Sequence, residues 1–166
     1  MKIMILTTGG TIEKTYNERD GTLKNYHTIV PAMLRGLRLP DLDISYRQVV
    51  FKDSLEITKD ERERIVASTR QALLQADGVI ILHGTDTMSQ TGELLYKRLT
   101  NLSIPIVLTG AMRPYEFRDS DALQNVIESL LAVRLVPPGV YVAMHNKVLA
   151  FPGVVKDRKK LTFTKA

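Results

Sequence analysis

The 166-residue chain contains no cysteine, an absence that removes disulfides, thiolate metal sites and cysteine nucleophiles together. Nothing in it requires an oxidising compartment, so the cytoplasm is the expected location. Long apolar runs are also missing. The opening Met1-Lys2-Ile3-Met4-Ile5-Leu6 meets Thr7-Thr8-Gly9-Gly10 at once, too short for the apolar region of a signal peptide and far short of a membrane span. It reads as a first buried strand, with no membrane partner. Neither a Gly-x-Gly-x-x-Gly nor a Walker pattern occurs, which counts against a nucleotide-binding domain. The three histidines, His27, His83 and His145, stand at no metal-ligand spacing, so neither a metal nor a cofactor is expected. No repeat, low-complexity tract or linker divides the chain, and residues 1–166 are read as a single domain.

What is present is ordinary in bulk: 44% hydrophobic and 25% charged residues, close to the average of globular domains. The net charge is +5, part of it in the C-terminal run Lys156, Arg158, Lys159 and Lys160. Without aromatic interleaving or a recognisable nucleic-acid motif, that run reads as a solvated tail, and no nucleic-acid partner is expected.

Short apolar runs alternate with segments of helical period. Ile3 to Leu6, Tyr46 to Phe51, Val79 to Leu82, Ile104 to Leu108 and Val140 to Met144 are strand candidates. This rhythm predicts an α/β fold, an open, mainly parallel, Rossmann-like sheet with helices on both faces. Thr58-Lys59-Asp60-Glu61 forms a capping box, followed by Ile65, Val66, Thr69, Ala72, Leu73 and Ala76 on one helical face. A second helix is predicted from about Ser89 to Leu99, with Thr87 and Gln90 as the expected capping pair. A third begins near Ser120, with Ala122, Leu123, Val126, Ile127, Leu130 and Leu131 as its apolar stripe and Pro137-Pro138-Gly139 as its stop. The polar stretch from Thr15 to Thr28 reads as a surface loop of lid-like length.

Open α/β sheets bind ligands at the carboxyl ends of their strands. Three such loops here combine glycine with hydroxyl groups: Thr7-Thr8-Gly9-Gly10-Thr11-Ile12, His83-Gly84-Thr85-Asp86-Thr87, and Thr109-Gly110-Ala111-Met112-Arg113-Pro114. Glycine admits a ligand close to backbone N–H groups while the hydroxyls stay near. Each residue also has a plainer role open to it: Thr11 as an N-cap, Thr85 as a turn residue, Asp86 as a helix-dipole partner, His83 as a shaper of its turn. Three such loops at one sheet edge favour a site. Helix N-capping accounts for Arg118-Asp119-Ser120-Asp121.

These loops carry a resemblance to the bacterial-type L-asparaginases. Thr8-Gly9-Gly10-Thr11-Ile12 resembles the first active-site signature of that family, His83-Gly84-Thr85-Asp86-Thr87-Met88 the second, and Gly110-Ala111-Met112-Arg113-Pro114 a further segment. The resemblance implies hydrolysis of the side-chain amide of free asparagine, with Thr11 as nucleophile and an acyl-enzyme intermediate. It assigns Tyr16, with Tyr26 as competitor, to the tyrosine that relays the first proton, since a threonine hydroxyl needs such help at neutral pH. Thr85, Asp86 and Lys156 form the second group, which takes Lys156 out of the solvated tail. Gly10, Gly84, Ser54, Thr85, Asp86 and Ala111 line the substrate, and N–H groups near Thr85 and Ala111 stabilise the oxyanion. Which threonine attacks first stays open.

The chain departs from the family in two ways. Most members are about twice as long, with a second domain whose residues complete a neighbouring subunit's site, whereas this chain resembles the short members. Leu55 stands where long members have a glutamine. Each lost charge-assisted hydrogen bond weakens recognition of the substrate's ammonium by roughly 1.5–3 kcal/mol, leaving Asp86 as the main anchor. The surface left without a second domain predicts a homodimer or higher homo-oligomer. Glutamine or another amide as substrate, and a non-catalytic amino-acid sensor, are the competing readings.

Overall fold

A computed structural model describes residues 1–166. In chain order its elements are β1 (Lys2–Gly9), β2 (Thr15–Asn17), β3 (Thr22–Lys24), α1 (Val30–Arg35), β4 (Asp43–Lys52), α2 (Lys59–Ala72), β5 (Gly78–Leu82), α3 (Met88–Arg98), β6 (Pro105–Thr109), α4 (Ala122–Leu135), β7 (Gly139–Met144), β8 (Lys147–Ala150), β9 (Val154–Asp157) and β10 (Thr162–Lys165). Short 3-10 turns cover Thr11–Glu13 and Ser54–Glu56. The main sheet has the order β4-β1-β5-β6-β7-β8, parallel except for the final β7–β8 pair. No helix is long and apolar enough to cross a membrane.

Alternation along the strands builds two cores. Met4, Leu6, Val79, Ile81, Ile106 and Leu108 meet Ile65 and Val66 of α2 and Met88 and Leu95 of α3. Ile3, Ile5, Ile80, Leu82 and Val107 meet Met33 of α1 and Val126, Leu130 and Val133 of α4 on the opposite face. This is the predicted α/β sheet with helices on both sides. All five expected strands form.

The chain runs from β1 to β4 on one side and then crosses back to β5 on the other, so the winding reverses between β1 and β5. A crevice opens at the carboxyl ends of strands where the winding switches in this way. The Thr11 and Thr85 loops flank it.

Several expectations need correction. β4 is an edge strand, and only Val50 of its ten residues is fully buried, so it is not covered on both faces. Within the stretch from Thr15 to Thr28, residues 15–24 form a small antiparallel hairpin, β2–β3, and only residues 25–28 are irregular. The basic C-terminal run is no tail, because β9 and β10 pair as a second hairpin. Val154 and Phe163, each 1% exposed, anchor that hairpin in the core, at about 1.5–3 kcal/mol per side chain. On α4 the sheet covers Val126, Asn125, Ser129 and Val133, while Leu123, Ile127 and Leu131 are exposed at 36%, 46% and 55%. α4 is apolar nearly all round, so hydrophobic spacing alone does not choose its inner face. The Thr58–Glu61 capping box is present in full. The Thr87–Gln90 pair makes no cap, because the Thr87 hydroxyl donates to Ser54 O at 2.9 Å.

Candidate active site

The three glycine-bearing loops are in backbone contact. Gly9 and Gly10 have φ of +85° and +76°, conformations that L side chains rarely adopt. A methyl group on Gly10 would lie 2.4 Å from Gly84 Cα, and one on Gly84 would lie 2.6 Å from Ser54 Cβ. Only glycine fits at either place. Hydrogen bonds lock the contact: Thr8 Oγ1 donates to Leu82 O at 2.9 Å, Gly10 N to Lys52 O at 2.9 Å, and Asn25 Nδ2 to Gly10 O at 2.9 Å.

Beside this contact sits a compact polar group. Lys156 Nζ donates to Thr85 Oγ1 at 2.7 Å and to Asp86 Oδ1 at 3.0 Å. Its side chain is 12% exposed, and β9 carries it in from the far end of the chain. Arg158 also donates to Asp86 Oδ1, at 3.1 Å. Asp86 therefore keeps Oδ2 for another partner and has two cations on Oδ1. Ser54 is buried against Gly84, and its Oγ, itself shielded from solvent, has no hydrogen-bond partner in the chain. Next to it, Asp53 pairs with Lys14 at 2.8 Å. Burial alone raises the Asp53 carboxyl, but hydrogen bonds from Lys14 and Leu55 N–H outweigh it and hold it below the ordinary value.

The third loop is held by Asp121, which has more to do than cap a helix. Ser120 Oγ accepts from Ala122 N, while the Asp121 carboxylate turns back to accept from Met112 N and Arg113 N, each at 3.0 Å. It also faces His145 Nε2 at 2.7 Å. Burial opposes its charge, and these hydrogen bonds together keep its pKa below the ordinary value. Ala111 is thereby fixed with its N–H free of any acceptor in the chain, as is the N–H of Thr85.

The structure brings together Gly10, Ser54, Gly84, Thr85, Asp86 and Lys156. Thr11, half-buried, follows directly on Gly10. Tyr16 is not brought in: it is 60% exposed, its N–H donates to Glu116 at 2.8 Å, and its hydroxyl lies towards Gly21. The Tyr26 hydroxyl is bonded to Thr22 Oγ1. Neither phenol hydrogen-bonds to Thr11, and Tyr16, on this small exposed hairpin, needs a movement of the hairpin to do so.

Sequence reasoning missed four contributors. Arg158 was hidden in the basic run, and Asn25 in a polar stretch. Glu13 is fully buried, with Gly9 N–H and the Thr28 hydroxyl on its carboxylate. Its signal was a lone acid next to a glycine turn. The fourth is Thr91, which joins Arg62 to His83 under the second loop; its position eight residues after His83 offered no cue.

A sequence model of the family described as asparaginase, N-terminal, matches residues 2–161. The chain belongs to the asparaginase family. Among relatives of this asparaginase domain, an L-asparaginase of Thermococcus kodakarensis is 34% identical over 154 residues, 90% of this chain and 45% of the relative. The solved thermostable L-asparaginase of that organism superposes with a TM-score of 0.90 at 31% identity, covering 99% of this chain and 51% of that one. A glutamyl-tRNA(Gln) amidotransferase component of Methanococcus maripaludis is 29% identical over 150 residues, 87% of this chain and 35% of the relative. The chain spans about half the length, or less, of the relatives it matches. The family is the one the three loops resemble, and the fold is the one predicted by the alternation of strands and helices.

Proposed function

We propose that the protein is an amidohydrolase that hydrolyses the side-chain amide of free asparagine to aspartate and ammonia, with residues 1–166 as one catalytic unit that uses no cofactor. The observation that carries this reading is the contact of Lys156 Nζ with both Thr85 Oγ1 at 2.7 Å and Asp86 Oδ1 at 3.0 Å, beside the Gly10–Gly84 contact that leads into Thr11. A hydroxyl bonded to an amine, with the amine oriented by a carboxylate, is the pattern of an activated nucleophile or an activated water.

Thr11 Oγ attacks the amide carbon, and its proton passes through Tyr16, after the β2–β3 hairpin closes, to the leaving nitrogen. The C–N bond breaks and ammonia leaves an ester on Thr11. Thr85 and Lys156 then take a proton from water as it adds to the ester, and the returning proton frees the Thr11 hydroxyl with aspartate. Arg158 keeps Asp86 partnered while Lys156 exchanges protons. Asp86 Oδ2 accepts from the substrate ammonium, Ser54 Oγ donates to its carboxylate, and the N–H groups of Thr85 and Ala111 face the oxyanion.

The exposed residues Leu123, Ile127 and Leu131, with Leu135 at 72% exposure, continue one stripe of α4 and support self-association as a homodimer or higher homo-oligomer. The test of function is ammonia release by pure protein from asparagine, glutamine and aspartate. Release from asparagine is expected. Release from glutamine alone transfers the reading to a glutaminase, and release from none of them transfers it to an amino-acid sensor.

A further inference from the structure

Half-buried Arg62 and fully buried Thr91 and His83 form a chain of hydrogen bonds whose direction chemistry fixes. Gly84 O can only accept, so the His83 Nδ1 at 2.8 Å from it carries the proton. His83 is fully buried, and burial pushes its pKa down to about 4, so the ring is neutral and Nε2 holds a lone pair. The Thr91 hydroxyl, 2.8 Å from Nε2, must then donate to it. Thr91 Oγ1 accepts in turn from Arg62 Nη1. Each partner leaves the next a single role: Arg62 donates to Thr91, Thr91 to His83, and His83 to the Gly84 carbonyl.

A trans peptide carries its C=O and N–H on opposite sides. With the Gly84 carbonyl drawn onto the imidazole, the Thr85 N–H faces away from the ring, and it has no acceptor in the chain. Such a preoriented N–H is what a developing oxyanion requires, since no reorganisation is left to do when the charge appears. Thr91 sits on the buried face of α3 with Met88 and Leu95, where a valine of similar volume would satisfy packing alone. Its hydroxyl has a different use. We infer that His83, Thr91 and Arg62 are positioning residues that set the Gly84–Thr85 peptide so that the Thr85 N–H serves as an oxyanion donor during amide hydrolysis. The inference rests on the amidohydrolase reading. None of the three is assigned contact with substrate.

Two measurements test it. In steady-state kinetics with asparagine, Thr91→Val is expected to lower kcat tenfold to about a hundredfold, less than the roughly 10²–10³ lost when a donor is removed outright. KM should stay within about twofold, and Thr91→Ser should regain most of the rate. A Thr91→Val enzyme with normal kcat, an effect confined to KM, or a Thr91→Ser variant as slow as the valine overturns the positioning role. The second measurement is 15N NMR of His83 in the unmodified protein, which needs neither turnover nor a folded variant. The expected result is the Nδ1–H tautomer with no titration between pH 5 and 8, and the Nε2–H tautomer or a titration in that range overturns the relay. The two readings fail differently. Unmodified protein that releases no ammonia sinks the hydrolase reading, whereas active enzyme insensitive to Thr91→Val sinks the positioning role alone.

Discussion

Glu13 offers a prediction whose size follows from the structure. It is the only carboxylate side chain among the fully buried residues, accepting from Gly9 N at 3.2 Å and from the Thr28 hydroxyl at 2.6 Å. Burial is the largest influence on it and, against these hydrogen bonds, pushes its pKa from 4.5 up to about 7. A carboxyl whose pKa is raised on folding contributes stability fully present below the unfolded value and lost as pH rises through the folded one. At about 1.4 kcal/mol per pH unit, the full loss is about 3.5 kcal/mol, of which about 2.5 kcal/mol falls between pH 5 and 8.5. Glu13→Gln copies the protonated acid: its amide oxygen accepts from Gly9 N–H and its NH₂ donates to Thr28 Oγ1. The assay is urea unfolding of both proteins at the two pH values. Other titrating groups are common to both, so they cancel in the difference. The glutamine variant should gain on the parent by about 2.5 kcal/mol on going from pH 5 to pH 8.5. An advantage that does not change with pH would show that Glu13 is ionised in the fold at pH 5, and the desolvation reasoning would be wrong.

Thr11→Val and Thr85→Val should each cut kcat on asparagine by several orders of magnitude with unchanged far-ultraviolet circular dichroism; near-normal turnover by either removes that threonine from the chemistry. Lys156→Arg should be nearly as damaging as Lys156→Met, because a guanidinium does not give up its proton at working pH; an active arginine variant returns Lys156 to a purely electrostatic role. Hydrogen exchange over residues 15–28 should slow at saturating aspartate if the β2–β3 hairpin closes, and unchanged exchange leaves Tyr16 without a route to Thr11. Light scattering at micromolar protein should give a multiple of the 18.7 kDa chain mass, and Ile127→Lys, which puts a charge in the exposed stripe of α4, should lower it; a monomer from the start rules out self-association.

The sheet was legible because the strand cores are runs of Val, Ile and Leu bounded by glycine and polar turns. The helix from Lys59 was equally clear, since Thr58 and Glu61 write its start in two residues. Where the reading failed, the deciding force was tertiary. Spacing could not choose between Val133 and Leu131 as the inner side of α4, since both are apolar, and what decides is the sheet facing one of them. Thr87 has the composition of a cap but spends its hydroxyl on a carbonyl 33 residues away. The site divides in the same manner. Gly10, Gly84 and Thr85 stood out through local composition, whereas Lys156 came only from likeness to a family, because its partner lies 71 residues away and the antiparallel pairing of β9 with β10 is not written in any period. Arg158 acts through a partner 72 residues away, and Thr91 through Arg62, 29 residues before it, as well as through His83.

The hairpin that delivers Lys156 is made after all six strands of the main sheet, so during synthesis the order of events is set. Domains take shape as they emerge, at roughly 5–20 residues per second. All six strands of the main sheet and the two threonine loops precede Val154 and Phe163 in the chain, and the core on the α2–α3 face is complete only once those two side chains enter it and seat the lysine. Until then the nascent protein has a binding crevice without its amine, and the proposed proton transfer becomes possible only when the β9–β10 hairpin docks. Structure arrives first and reactivity last.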